Sequence, residues 1–213
     1  CMSFLMPDLN AEGFDIVVEK EYPIGITDLS DVLLEVKSKK ADAFIGLSWP
    51  EDTMLMVKQM QEISYDPKFM WYWIGPSYPS YVQAFGPAID GTCMVSISAW
   101  CRGGPGPGSA EFYDAYTERW GHTPDMVDSS LTWASCEVWE QAIDKAGTLD
   151  WEKLTDAIYT ETFTTIAGPA KFVGTRNVNA KEGVLQWQKG EIQIVWPPEV
   201  ATAELMIPKP SWP

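Results

Sequence analysis

Three short segments combine aromatic rings with hydroxyls or a carboxylate in a spacing that suits ligand capture. They are Ser48-Trp49-Pro50-Glu51, Gly75-Pro76-Ser77-Tyr78 and Ala99-Trp100-Cys101. Each follows an apolar run that reads as a β-strand, at 41–47, 69–74 and 92–98. In an open parallel sheet, ligands bind just beyond the carboxyl ends of the strands. Trp49, Tyr78 and Trp100 place π-faces there, Ser48 and Ser77 add hydroxyls, and Glu51 adds a charge. Helix starts near Glu51 and Ser77 contribute backbone N–H groups that no helical carbonyl can reach. Such a set can stack on a compact molecule and hydrogen-bond its polar end. The blander reading is that these rings pack under loops, because eleven Trp have to be placed somewhere.

Catalytic signatures are missing from the sequence. There is no GxSxG, no Walker loop, no GxGxxG and no HExxH. The prolines of CRGGPGPG (101–108) remove N–H groups that a phosphate cradle needs. The one histidine, His122, lies in Gly-His-Thr-Pro after a helical run and reads as a turn residue rather than a general base. Glu51 and Asp52 are sequence neighbours whose side chains point apart, so a carboxylate-dependent amidase or hydrolase has no converging acid pair. Cys1, Cys93, Cys101 and Cys136 form no CxxC and no metal-ligand spacing; Cys93 and Cys101 read as buried thiols, with a bridge as the alternative in an oxidising compartment. No cofactor or metal is expected. A net charge of −15 makes nucleic acid and anionic membranes poor partners.

The elements that position these segments follow from periodicity. FDIVVE (14–19) reads as a strand, and a helix runs from about Asp28 with Leu29, Val32, Leu33 and Val36 on one face. The run 41–47 lacks polar alternation and is expected to be a strand covered on both faces. Helices at about 51–64 and 78–86 separate it from the next two strands, which gives right-handed βαβ crossovers and a parallel sheet. After the Gly/Pro-rich crossover or hinge at 101–108 come helices at about 109–120, 127–146 and 151–159. Strands are expected at 170–173, 184–188 and 192–196, and the proline-rich end, IPKPSWP, as a surface tail. The first residues, CMSFLMPDLN, lack the features of a signal peptide and the polar tether of a lipid-anchored chain, and read as a start inside a domain. The expected class is α/β, a parallel sheet flanked by helices.

The series YPIGITDLSDVLLEVKSKKADAFIG, WPEDTMLMVKQMQE, GTCMVSISAW, FYDAYTERWGHTPD, WASCEVWEQAIDKAGTLD and IAGPAKFVGTRNVNAKEGVLQWQKGE, in that order, resembles the type I periplasmic binding proteins of ABC importers, in particular the leucine/isoleucine/valine-binding branch. The resemblance implies two lobes, the first incomplete. Residues 1–100 would form second-lobe sheet and helices, 101–182 helices and a strand returning to the first lobe, and 183–213 the closing strands and tail. Further N-terminal polypeptide, or self-association, is then expected to cover apolar surface. The resemblance also implies that Trp49 faces the ligand, within Gly46-Leu47-Ser48-Trp49-Pro50-Glu51. Ser77 falls where the branched-chain binders carry an acid that pairs with the ligand's ammonium.

The function expected on this basis is capture of a small organic ligand, an amino acid or an aromatic or small carboxylate, outside the cytoplasm for the membrane permease of an ABC importer. The alternative is a ligand-sensing domain of a receptor or regulator with the same fold. Candidate ligand-binding residues are Ser48, Trp49, Glu51, Ser77, Tyr78 and Trp100.

Overall fold

The computed structural model describes residues 2–96, 101–125 and 127–212. Helix α1 (Met2–Ala11) opens the chain, and α2 (Ser30–Ser38) follows. Then come β1 (Ala43–Gly46), α3 (Pro50–Glu62), β2 (Phe69–Tyr72), α4 (Pro79–Phe85) and β3 (Thr92–Ser96). These are the two βαβ crossovers that the periodicity predicts, and β1, β2 and β3 pair in parallel. Helices α5 (Ser109–Trp120), α6 (Asp128–Ala146) and α7 (Trp151–Thr160) lead to strands β4 (Thr162–Thr165), β5 (Gly168–Val173) and β6 (Arg176–Asn177). The chain returns through β7 (Gly183–Gln188) and β8 (Glu191–Trp196).

Two sheets result. The larger has the order β1-β2-β3-β7-β8, with β7 and β8 added antiparallel to β3, so it is mostly parallel at one side and antiparallel at the other. The smaller is β4-β5-β6, antiparallel throughout. The main core lies against the larger sheet, where Met60, Met70, Tyr72, Met94, Leu185 and Ile194 are wholly shielded from water. Val138, Ala142, Leu154, Phe163 and Ala170 form a second, smaller cluster between α6, α7 and the small sheet.

Three expectations need correction. Residues 14–19 belong to no strand or helix, with Phe14 and Val17 exposed. Val- and Ile-rich sequence makes a strand only where a neighbour completes the ladder, and no described strand runs beside it. Strand β1 is not covered on both faces: it is the edge of the sheet, and Ile45 stays 37% exposed while Phe44 packs against the Tyr72 ring. The proline-rich end is no loose surface tail. The Lys209 N–H donates to the Lys68 carbonyl, and its ammonium is buried against Asp66 and over the Trp212 ring. Buried Gln186 of β7 exchanges two hydrogen bonds with the backbone of Met206. Polar sequence docked through backbone and buried amide bonds shows no hydrophobic period, so periodicity cannot find it.

Cys93 and Cys101 are buried free thiols, and Cys136 is exposed. No helix among the described residues is long and apolar enough to cross a membrane.

Candidate functional site

The carboxyl ends of β1 and β2 lie side by side because the two strands are parallel and in register, Gly46 opposite Tyr72. Glycine makes their close packing possible. A Cβ on Gly46 would sit 2.6 Å from the Tyr72 ring, and one on Gly75 only 2.0 Å from the Thr53 hydroxyl. The loop after β2 therefore rests directly on the first turn of α3.

Within these loops the two serines turn inward. Ser48 is buried, with its hydroxyl 2.7 Å from that of Thr53, which itself donates to the Trp49 carbonyl. Ser77 is equally buried in a short turn at Gly75–Ser77 and donates its hydroxyl to the Ile74 carbonyl, 2.8 Å away. The Trp187 indole of β7 donates to the Pro76 carbonyl at 3.0 Å and fixes the turn from beneath. Both hydroxyls thus shape the loops.

Trp49 and Glu51 do the opposite. Trp49 caps α3 with extended backbone, its carbonyl accepts the Thr53 N–H, and its ring is 56% exposed. Glu51 is exposed in the first turn of α3, where a carboxylate suits the positive helix end. Asp52 next to it is buried beside Tyr22; burial, and then the Asp52 carboxylate, push the Tyr22 phenol up to about 12. The two acids point apart, as their adjacency requires.

Tyr78 caps α4 and is half-buried. Its hydroxyl donates to the Asp128 carboxylate at the start of α6, 2.6 Å away and fifty residues along the chain. Burial, and then that hydrogen bond and charge, hold its phenol well above the usual range; Asp125 and Glu51 add to the effect. Trp100, the remaining candidate, lies outside the described residues.

The structure therefore brings Ser48, Trp49, Glu51, Ser77 and Tyr78 to one end of the sheet, and adds Thr53, Trp187 and Asp128. Thr53 carries a local signal, a hydroxyl four residues after a helix-capping position. Asp128 carries none, because only the tertiary fold brings it to Tyr78. His122 is exposed, with a ring nitrogen 2.9 Å from the Thr123 carbonyl and its edge against Tyr116, as befits a turn residue. No group of His, Cys, Asp and Glu among the described residues could hold a metal ion. Hollows of about 480 and 440 Å³ lie elsewhere, one between the end of α6 and α7, the other beside Trp212. The strand-end surface is thus a shelf with aromatic and acidic groups.

Comparison with known proteins gives this shelf its context. The periplasmic binding protein family matches residues 8–191. A Leu/Ile/Val-binding protein homolog 7 of Brucella suis is 26% identical over 209 residues, covering 94% of this chain and 52% of that protein. The chain thus spans about half the length of the curated relatives it matches. Among solved structures, the leucine-binding protein LivK from Thermotoga maritima superposes with a TM-score of 0.75 at 19% identity, over 93% of this chain and 55% of its own. A solute-binding protein from R. palustris, in complex with benzoate, gives 0.74 at 15% identity, over 98% and 54%. These likenesses agree with the mostly parallel sheet and flanking helices described above. Whereas the structural neighbours establish the fold, the match over 8–191 establishes kinship: the chain belongs to the periplasmic binding protein family.

Proposed function

We propose that this chain works outside the cytoplasm as a solute-binding protein, capturing a small organic ligand for the membrane permease of an ABC importer. One observation carries the reading: at the carboxyl ends of β1 and β2, Trp49 stands exposed on a loop whose hydroxyls are already used in holding its shape. An exposed indole on a rigid platform is a binding surface, because its burial by a ligand releases water without disturbing the loop. Glu51, Tyr78 and Trp100 complete the proposed contacts, and Ser48 and Ser77 act by fixing the loops. The ligand is an amino acid or an aromatic or small carboxylate; a relative is named for leucine, isoleucine and valine, and a structural neighbour holds benzoate.

In this reading residues 1–100 and 183–213 form one lobe, and 101–182 return to another. The relatives' greater length and the exposed Trp133, Trp139 and Trp151 on α6 and α7 support a further polypeptide layer over that face. Titration calorimetry with leucine, valine and benzoate tests the reading. Trp49→Ala should weaken whichever of them binds by about 1–3 kcal/mol. Equal binding by the variant, or binding of none of the three, would count against it.

A further inference from the structure

We propose that the Tyr78–Asp128 hydrogen bond is a clasp: it holds the start of α6 against the carboxyl ends of the parallel strands and fixes the ligand site before a ligand arrives. The inference rests on reading the strand ends as that site.

The geometry supports a linking role rather than a local one. Tyr78 ends the loop after β2, Asp128 begins α6, and the two atoms are 2.6 Å apart. Neither element needs the bond for its own integrity. On the Tyr78 side, the backbone carbonyl accepts the Tyr81 N–H and so starts α4, while Ser77 and Trp187 lock the preceding turn. On the Asp128 side, Asp125 does the capping: its carboxylate accepts the N–H groups of Val127, Asp128 and Ser129. The Asp128 side chain is thereby spared for Tyr78, at a helix end whose partial positive charge favours a carboxylate. With both ends fixed independently, what the bond adds is the position of one element relative to the other.

Its strength and setting suit a clasp. A phenol donating to a carboxylate is a charge-assisted hydrogen bond, stronger than a neutral one. It also lies at the surface, so it can open and reform, unlike a contact in the core. The covalent path between β3 and α5 includes the Gly/Pro-rich segment 101–108, held by the buried Cys101, by Arg102 paired with Asp114 of α5, and by the Ser109 hydroxyl donating to the Gly106 and Ile166 carbonyls. These links, and the core that Phe112, Ala134 and Ile166 share with the sheet, lie apart from the strand ends, whereas the clasp joins the two sides at the proposed site itself.

Pulsed electron spin resonance on the whole chain tests this without any ligand. One spin label goes on native Cys136, exposed on α6, and one on Ser80→Cys at the start of α4, with Cys1 replaced by serine. The unaltered pair should give a narrow distance distribution. Tyr78→Phe, which keeps the ring and loses only the hydroxyl, should broaden it, and Asp128→Asn should do so less. Stopped-flow tryptophan fluorescence with leucine and with benzoate as probes should then show release from Tyr78→Phe about tenfold faster, with little change in the association rate. A distribution unchanged in both variants overturns the clasp. Broadening with unaltered release overturns its role in binding. If neither probe binds the unaltered protein, the ligand-site reading fails and the clasp's purpose with it, a result the distance measurement keeps separate from failure of the clasp itself.

Discussion

The central sheet and the α6–α7 layer are written in the same apolar language, yet they end in different states. Around the sheet, Met60, Met70, Tyr72, Met94, Leu185 and Ile194 have no contact with water. Along α6, Ala134, Val138 and Ala142 are buried on one face, but Trp133 and Trp139 remain 49% and 42% exposed, and Trp151 at the start of α7 is 68% exposed. Trp139 and Trp151 lie against each other, ring centroids 6.4 Å apart, and shield one another only in part. A helix that is apolar on more than one face is built to be covered on more than one face. The middle of the sheet is sealed by its own helices and tail, and only its edges, with Ile45 and Trp196, meet water. The α6–α7 layer is sealed on one side.

The sharpest test of that contrast is a pair of truncations. Tyr72→Ala removes a wholly buried ring that packs over Gly46, and should cost about 3–5 kcal/mol of stability in urea unfolding. Trp151→Ala should cost less than about 1 kcal/mol, because its ring is already wet. A loss at Trp151 that rivals the loss at Tyr72 would break the comparison.

Next in size is the tail that closes the far end of the sheet. Lys209→Ala leaves Asp66 without its partner beside a buried contact, and should cost about 2 kcal/mol, below the full penalty for a buried pair because Asp66 keeps some access to water. The exposed Lys68–Asp42 pair is the control, and Lys68→Ala should cost about 0.5 kcal/mol or less in the same assay. Equal effects would mean that the tail seals nothing.

A smaller effect should appear at high pH. Burial, with the Asp42 charge behind it, raises the Tyr65 phenol from 10.0 to about 12, while its hydroxyl donates to the Ala41 carbonyl. The folded state thus favours the neutral phenol. This contribution is fully present below about pH 10 and is lost as pH rises through about 12. Tyr65→Phe should therefore flatten the fall of stability between pH 10 and 12, read from urea midpoints at each pH. A fall as steep as in the parent would show that Tyr65 is not sealed in. Smallest of all, His122→Ala should change stability by less than about 0.5 kcal/mol, since an exposed turn residue that meets the Tyr116 ring and a neighbouring carbonyl has little to lose.

Much of the scaffold was legible because it is local. Helices α5, α6 and α7 begin and end within a residue or two of where their apolar spacing puts them, and Gly121 and Gly147 both adopt the left-handed backbone of a helix stop. The parallel strands were legible as apolar runs separated by helical periods. Residues 14–19 were not, because the same composition serves a segment with no strand neighbour among the described residues. The site was half legible. Its loops could be placed, but an inward serine and an outward tryptophan look alike in sequence, and the inward turn of Ser48 depends on Thr53 meeting it.

The sequence by itself determined most of the helices, the parallel strands, their order and the α/β class, because the 3.6-residue and two-residue periods are short-range facts; it did not show α1, β4 or β6, nor that β7 and β8 join antiparallel. It also carried the family likeness, in an ordered series of segments spread over most of the chain. Only the tertiary structure decided which groups face outward, that the proline-rich end docks through Lys209 and Asp66, and that Tyr78 meets Asp128 across fifty residues. Those outcomes depend on hydrogen bonds between polar side chains distant in sequence, and such pairs leave no period for a linear reading to detect.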